Sequence, residues 1–144
     1  MKKVAYRVIP ILALAAIVLA ACSPAQGLDA TSWRLETFRS PEGDMTEVLP
    51  DSVVTMDFQA DQVSGISGCN NYSGPYQSTG NDIEIGPLAS TRQLCAQPEG
   101  IMEQEAAYLS ALESVARYEI NGDTLELMDD RREQLVVFVR ATGE

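Results

Sequence analysis

Short apolar runs separated by turn residues are the feature that most limits how this chain can fold. Val53 to Phe58 is the clearest example, because every second residue from Val54 onward is apolar. A two-residue period is typical of a half-buried antiparallel strand. Helical spacing of apolar residues is convincing in one segment, Pro98 to Val115, where Glu105 is the exception on an otherwise apolar face.

These patterns predict an α+β domain of about seven or eight short strands and one helix. The predicted strands are residues 33–38, 53–58, 63–68, 76–79, 82–85, 118–120, 124–128 and 135–139. Segments 40–51 and 70–75 are rich in turn-forming residues, which predicts a loop and a turn. Strands do not alternate with helices, so the sheet should be mainly antiparallel. A curled half-barrel with the helix packed against it would bury both apolar faces.

The first segment of the chain has the pattern of an export signal. Three basic residues precede a charge-free, mostly apolar stretch from Val8 to Ala21, shorter than the roughly 20 residues of a membrane-spanning helix. The stretch leads into Leu-Ala-Ala-Cys at 19–22, which resembles the lipobox of bacterial lipoproteins. We therefore expect a signal peptide at 1–21, a covalent lipid on Cys22 and a tether at 22–30. An uncleaved anchor helix is the alternative.

Ser23 and the net charge indicate where the mature chain works. Lipoproteins kept in the inner membrane of many Gram-negative species typically have Asp after the lipidated cysteine, so Ser23 favours the periplasmic face of the outer membrane. From Cys22 onward, 21 acidic residues stand against seven arginines, a net charge of −14. Nucleic acid is not an expected partner, because phosphate binding needs a basic patch. Anionic headgroups would also repel the domain, so the lipid has to hold it at the membrane.

The composition excludes most catalytic classes. The chain has no His, and after residue 21 it has no Lys, so Ser–His, Cys–His and Ser–Lys pairs and Schiff bases are excluded. No calcium loop, phosphate-binding glycine loop or nucleophile elbow is present. We expect no enzymatic activity, no metal and no cofactor apart from the lipid. Two alternatives stay open: a cell-envelope hydrolase with paired carboxylates about 5–9.5 Å apart, and a calcium-stabilised interaction module.

The cysteine count predicts one disulfide. The chain has three cysteines, and lipidation of Cys22 leaves Cys69 and Cys95 to pair in an oxidising compartment. Their bond would close a loop of about 26 residues. Two buried free thiols are the alternative, and redox catalysis is less favoured because no C-x-x-C motif is present.

Gly65 to Tyr76 carries the most specific motif, G-x-x-G-C-N-x-Y-x-G-x-Y. It is followed by Ile-Gly-Pro-Leu-Ala-Ser-Thr at 85–91, by Cys95, and by Met102 and Glu105 in the predicted helix. With Trp-x-Leu at 33–35 and the apolar alternation of 118–127, the pattern resembles the META domain of the HslJ-like bacterial lipoprotein family. The resemblance covers residues 31–141.

The resemblance implies a half-barrel with one helix and a lipid-anchored envelope protein without established catalytic residues. Roles in envelope stress and antibiotic tolerance follow from the family. A fold-level analogy to pilotin lipoproteins suggests that an envelope protein or an apolar ligand is bound.

The motif also provides a candidate binding surface, formed by Asn70, Asn71, Tyr72 and Tyr76. A purely structural role is the alternative. The glycines would then supply positive φ angles or close approach, the asparagines would satisfy the turn backbone, and the tyrosines would pack.

Overall fold

Alternation of apolar and polar residues produces one antiparallel sheet, as the sequence predicts. The computed structural model describes residues 27–141, so the predicted signal peptide and Cys22 lie outside the described residues. The elements in chain order are β1 (Thr31–Arg39), β2 (Met45–Glu47), β3 (Thr55–Gln59), β4 (Gln62–Ile66), β5 (Asn71–Thr79), β6 (Asp82–Ile85), β7 (Ala89–Ser90), α1 (Ile101–Glu113), β8 (Arg117–Asn121), β9 (Thr124–Met128) and β10 (Gln134–Arg140).

The sheet curls until its two ends meet. Strand β1 pairs with β3 on one side and with β10 on the other, where Trp33 lies opposite Arg140. The shortest strand pairing in this circuit is between β6 and β8, where Asp82 and Arg117 are the single residue pair. Backbone hydrogen bonds between the neighbouring residues, from Ile83 N–H to Ala116 and from Tyr118 N–H to Asn81, flank this pair. Within residues 27–141, eight strands thus form a barrel-like circuit, with β2 and β7 as short additions. The predicted fold class is confirmed, and the sheet closes further than a half-barrel.

Several segments differ from their predicted structure. Residues 71–75, predicted as part of a turn, form the first half of β5, and the predicted loop 40–51 contains β2. The predicted strand 63–68 ends at Ile66, and β7 was not predicted. In β5, Tyr72 and Tyr76 point inward, but Gly74 between them weakens the apolar alternation. Pro75, which has no N–H to donate, lies where the partner of β5 changes from β7 to β6. The strand therefore tolerates residues that usually mark turns.

Helix α1 packs against β1 and β10, and its buried side chains contribute to the interior of the barrel. Tyr108 is fully buried, and its ring lies 5.8 Å from that of Tyr72 on β5 and 6.3 Å from that of Phe138 on β10. Strands β5 and β10 are four positions apart in either direction around the circuit. One helical side chain therefore contacts opposite walls. None of the helices in residues 27–141 is long and apolar enough to cross a bilayer.

Replacing Leu112 by alanine should lower the free energy of unfolding by about 2–5 kcal/mol, because the side chain is fully buried between the helix and the sheet. The matched control is Leu109→Ala, which removes the same atoms from a half-buried position of the same helix. Urea denaturation of both variants gives the comparison. Equal losses of stability would contradict the packing described here.

Candidate functional site

The turn between β4 and β5, Ser67 to Asn70, is the centre of the G-C-N motif. Gly65 precedes it with no room for a side chain, since an added Cβ would lie 2.0 Å from the Thr55 carbonyl oxygen. Gly68 has φ +114°, a conformation that favours glycine, and a Cβ there would lie 2.8 Å from Ile101 at the start of the helix. Gly65 is therefore required by its close approach to the Thr55 backbone, and Gly68 is favoured by its positive φ angle.

Glu105 of α1 holds this turn against the helix. Its Oε2 accepts hydrogen bonds from the Ser67 hydroxyl at 2.7 Å, the Asn70 N–H at 2.8 Å and the Cys69 N–H at 3.3 Å. Its Oε1 accepts one from Asn70 Nδ2 at 2.7 Å. The side chain is 6% exposed, so these four donors replace the water that a carboxylate would otherwise bind.

The same contacts keep Glu105 ionised. Burial alone would raise the pKa of the carboxyl group, but the hydrogen bonds from Ser67, Asn70 and Cys69 outweigh it and hold the pKa below its ordinary value. A carboxylate that is fully hydrogen-bonded and has a lowered pKa is poorly suited to proton transfer near neutral pH. Its role in the structure is to fix the turn.

Asn70 links the turn to the segment that follows β7. Its Oδ1 accepts hydrogen bonds from the Thr91 hydroxyl and the Gln93 N–H, both at 2.7 Å, and its Nδ2 donates to the Gln93 carbonyl oxygen at 3.1 Å. With the bond to Glu105, every donor and acceptor of this amide is used.

The Cys69–Cys95 disulfide joins the same two segments covalently. The two Cα atoms are 5.9 Å apart and the S–S bond is 2.05 Å long. The structure thus contains the disulfide that the cysteine count predicts. Leu94, next to Cys95, is held in a constrained loop although its side chain is 91% exposed.

Tyr72 and Tyr108 form a second buried link between sheet and helix. Tyr72 donates its hydroxyl proton to the Thr55 carbonyl oxygen at 2.8 Å, so Tyr108 is the donor in the 2.7 Å bond between the two hydroxyls. Burial raises the pKa of both tyrosines above the ordinary value. They remain neutral and act as packing and hydrogen-bonding groups.

The four residues of the predicted binding surface do not form one exposed patch. Asn70, Tyr72 and Tyr76 are buried, and Asn71 alone is exposed. Asn71 borders an open groove of about 650 Å³ on the outer face of β3, β4, β5 and β7. Hydroxyl groups line much of this groove, and Ile66 is partly exposed beside them. Binding by Asn71 and its neighbours stays a prediction.

No group of three side chains able to hold a metal ion occurs between residues 27 and 141. Glu105 is the one buried carboxylate in this part of the chain. In the sequence, Glu105 is recognisable as an acidic residue on an otherwise apolar helix face. The spacing of residues along the sequence could not identify Ser67 and Asn70 as its hydrogen-bond donors.

Changing Glu105 to Gln should destabilise the protein at pH 7 by about 2–4 kcal/mol, because the amide NH₂ would face hydrogen-bond donors. The pKa of Glu105 is lower in the folded state, so its contribution is complete above the unfolded pKa and is lost as pH falls through the folded pKa. Acid unfolding should therefore depend less on pH in the variant. Denaturant titrations between about pH 2 and 7 measure this, and parallel pH curves for both proteins would contradict it.

Asn70→Asp and Asn71→Asp make the same chemical change at adjacent positions. Asn70→Asp should cost about 3–5 kcal/mol, because it places a second carboxylate against Glu105 in a buried site. Asn71 is exposed, so its variant should change stability by less than about 0.5 kcal/mol. Thermal and urea unfolding would measure the difference. Similar stabilities of the two variants would contradict the role of Asn70 in linking the turn to Glu105 and to the segment after β7.

Comparison with known proteins agrees with the fold and the motif. A protein from Burkholderia xenovorans, solved by NMR, is 29% identical, with a TM-score of 0.66 over 81% of this chain and 85% of that chain. Another protein solved by NMR is 21% identical, with a TM-score of 0.58 over 78% and 90%. A DUF4847 family protein from Bacteroides vulgatus ATCC 8482, a crystal structure, is 12% identical, with a TM-score of 0.55 over 81% and 96%. The last two share the fold alone.

No curated protein matches the sequence. The family model described as the META domain matches residues 26–142, which include every strand, the helix and the Glu105 site. The chain therefore belongs to the META domain family.

Proposed function

We propose that this chain is a lipid-anchored protein of the cell envelope that binds a partner on its outer surface and has no enzymatic activity. The observation that carries the proposal is the saturation of the Glu105 site. The carboxylate and the Asn70 amide use their hydrogen-bonding groups inside the protein, which supports a structural rather than a catalytic role for this site.

The interior is an unfavourable place for an apolar ligand. Tyr108 spans the barrel between opposite walls, and Trp33, Leu112 and Phe138 are each fully buried. A ligand between helix and sheet would have to displace these side chains. The outer surface, where grooves are open to solvent, is a better place for recognition.

The start of the described chain supports attachment close to a membrane. Leu28 is buried, and Asp29 accepts a hydrogen bond from the Ala60 N–H. The chain from Cys22 to Gly27 can span at most about 15–20 Å. A lipid on Cys22 would therefore keep this end of the domain near the bilayer. The disulfide suits an oxidising compartment outside the cytoplasm, and Ser23 favours the outer membrane.

The anchor is tested by labelling cells of a Gram-negative host, producing the full chain, with an alkyne fatty acid. The wild-type protein should carry the label and sediment with outer membranes, and Cys22→Ser should lose both properties. Ser23→Asp should stay labelled but move to the inner membrane. The Cys69→Ser and Cys95→Ser double variant is the control that should retain the label. An unlabelled wild-type protein in the soluble periplasmic fraction would refute the anchor.

The physiological role is a second part of the proposal. The family resemblance suggests support of the envelope under stress or antibiotic exposure, which a deletion strain complemented with wild-type or Cys22→Ser protein would test. Growth of the deletion strain that equals the parent under both conditions would count against it.

A further inference from the structure

An apolar groove of about 360 Å³ lies beside the first half of α1 and shares no lining residue with the Asn71 groove. Phe38, Pro41 and Leu49 form one wall with the β1–β2 connection, and Ala107 of the helix forms part of the other. Volumes of roughly 300–1,000 Å³ are typical of binding pockets. The groove has room for apolar side chains of an incoming segment.

Hydrogen bonds hold the two walls in place. Gln104 of the helix accepts a bond from the Leu49 N–H at 2.6 Å and donates to the Ser52 hydroxyl at 2.8 Å. Arg39 donates to the Gly43 and Gln134 carbonyl oxygens, both at 2.9 Å, and so fixes the turn after β1. The groove is therefore formed before any partner binds, which lowers the entropy lost on binding.

The charged lining of the groove is entirely acidic. Glu42 and Glu47 belong to the β1–β2 region, Glu103 belongs to the helix, and all three side chains are exposed. Arginine is absent from the lining. Exposed carboxylates around an apolar floor favour a partner that combines apolar side chains with positive charge.

The predicted tether is poorly placed to fill this groove. Strand β1 is nine residues long, and Phe38 at its groove end is about 20–25 Å from Thr31, near which both described ends of the chain lie. After removal of the predicted signal peptide, the segment from Cys22 to Gly27 would span at most about 15–20 Å and would not reach the groove. A second copy, with a net charge of −14 after residue 21, would be repelled by the three glutamates.

We propose that this groove binds a short segment of another protein in which apolar side chains alternate with lysine or arginine. The apolar side chains enter the groove between Pro41, Leu49 and Ala107, and the basic ones lie against Glu42, Glu47 and Glu103. The exclusion of the chain's own N-terminus rests on the proposed removal of residues 1–21, whereas the apolar floor and the acidic lining of the groove do not. Because the groove is at the end of β1 opposite the tether, the partner approaches from the side away from the predicted membrane attachment.

Three labelled peptides test this chemistry by fluorescence anisotropy. One alternates leucine with lysine, one has glutamate in place of each lysine, and one has serine in place of each leucine. The protein is the chain from residue 22 onward with Cys22→Ser, so that neither lipid nor detergent takes up the peptides. The leucine–lysine peptide should bind at least about tenfold more tightly than either of the others, and more weakly at high salt.

A triple variant, Glu42→Gln with Glu47→Gln and Glu103→Gln, should weaken binding about tenfold. The matched control is Glu84→Gln with Glu119→Gln and Asp61→Asn, which removes the same charge from exposed positions outside the groove and should bind like the wild type. In ¹⁵N NMR spectra, the bound peptide should shift the amide signals of Thr46, Gly100 and Ala107.

Several results would overturn the proposal: no binding of the leucine–lysine peptide, equal binding of the serine–lysine peptide, or equal weakening by the two triple variants. Signal changes confined to the Asn71 groove would also overturn it, because the peptide would then occupy a different surface. Circular dichroism of the two triple variants checks that each remains folded, which is expected because the six substituted acidic side chains are exposed.

Discussion

The buried carboxylate of Glu105 is the interaction on which the arrangement of helix and sheet depends. A charge at a site that is 6% exposed is costly unless donors surround it. The turn from Ser67 to Asn70 supplies these donors. The N–H groups of Cys69 and Asn70 both point to Glu105 Oε2, and the positive φ angle of Gly68 just before them shapes the turn in this way. The motif on the sheet and the acid on the helix are therefore two halves of one contact.

The other links of this region extend from that contact. Asn70 donates from Nδ2 to both the helix carboxylate and the Gln93 carbonyl oxygen, and its Oδ1 accepts from the Gln93 N–H. The disulfide joins the same two segments. Removing one side chain of this network would leave buried polar groups without hydrogen-bond partners. This costs more stability than replacing the whole network by apolar side chains. Buried ionic groups often contribute little net stability. The network's clearest effect here is to fix one position of the turn and the helix.

The fold was largely predictable from the sequence because most strands carry their own two-residue period. Strand β9 was predicted with its observed ends, and the Asn-Gly turn before it is a strong local signal. The first half of β5 was missed because Gly74 and Pro75 are turn residues in most contexts. Closure of the barrel depends on pairing between β1 and β10. These strands lie far apart in the sequence, so no local sequence pattern predicts that they pair. Glu105 was visible as an anomaly, but its donors lie more than 30 residues away.

Buried aromatic and aliphatic side chains occupy the interior, so the proposed recognition takes place on the surface, where charge affects which partners can approach. The seven arginines after residue 21 are too few to balance 21 acids, and two of them, Arg117 and Arg140, already lie next to Asp82 and Asp123. An acidic surface excludes anionic partners over a distance of about 8 Å at physiological salt, but it gives little specificity by itself. Specificity requires apolar contact as well, and the groove beside α1 combines the two. The hydrogen bonds of Gln104 and Arg39 fix the walls of this groove, so they would determine where the proposed partner binds.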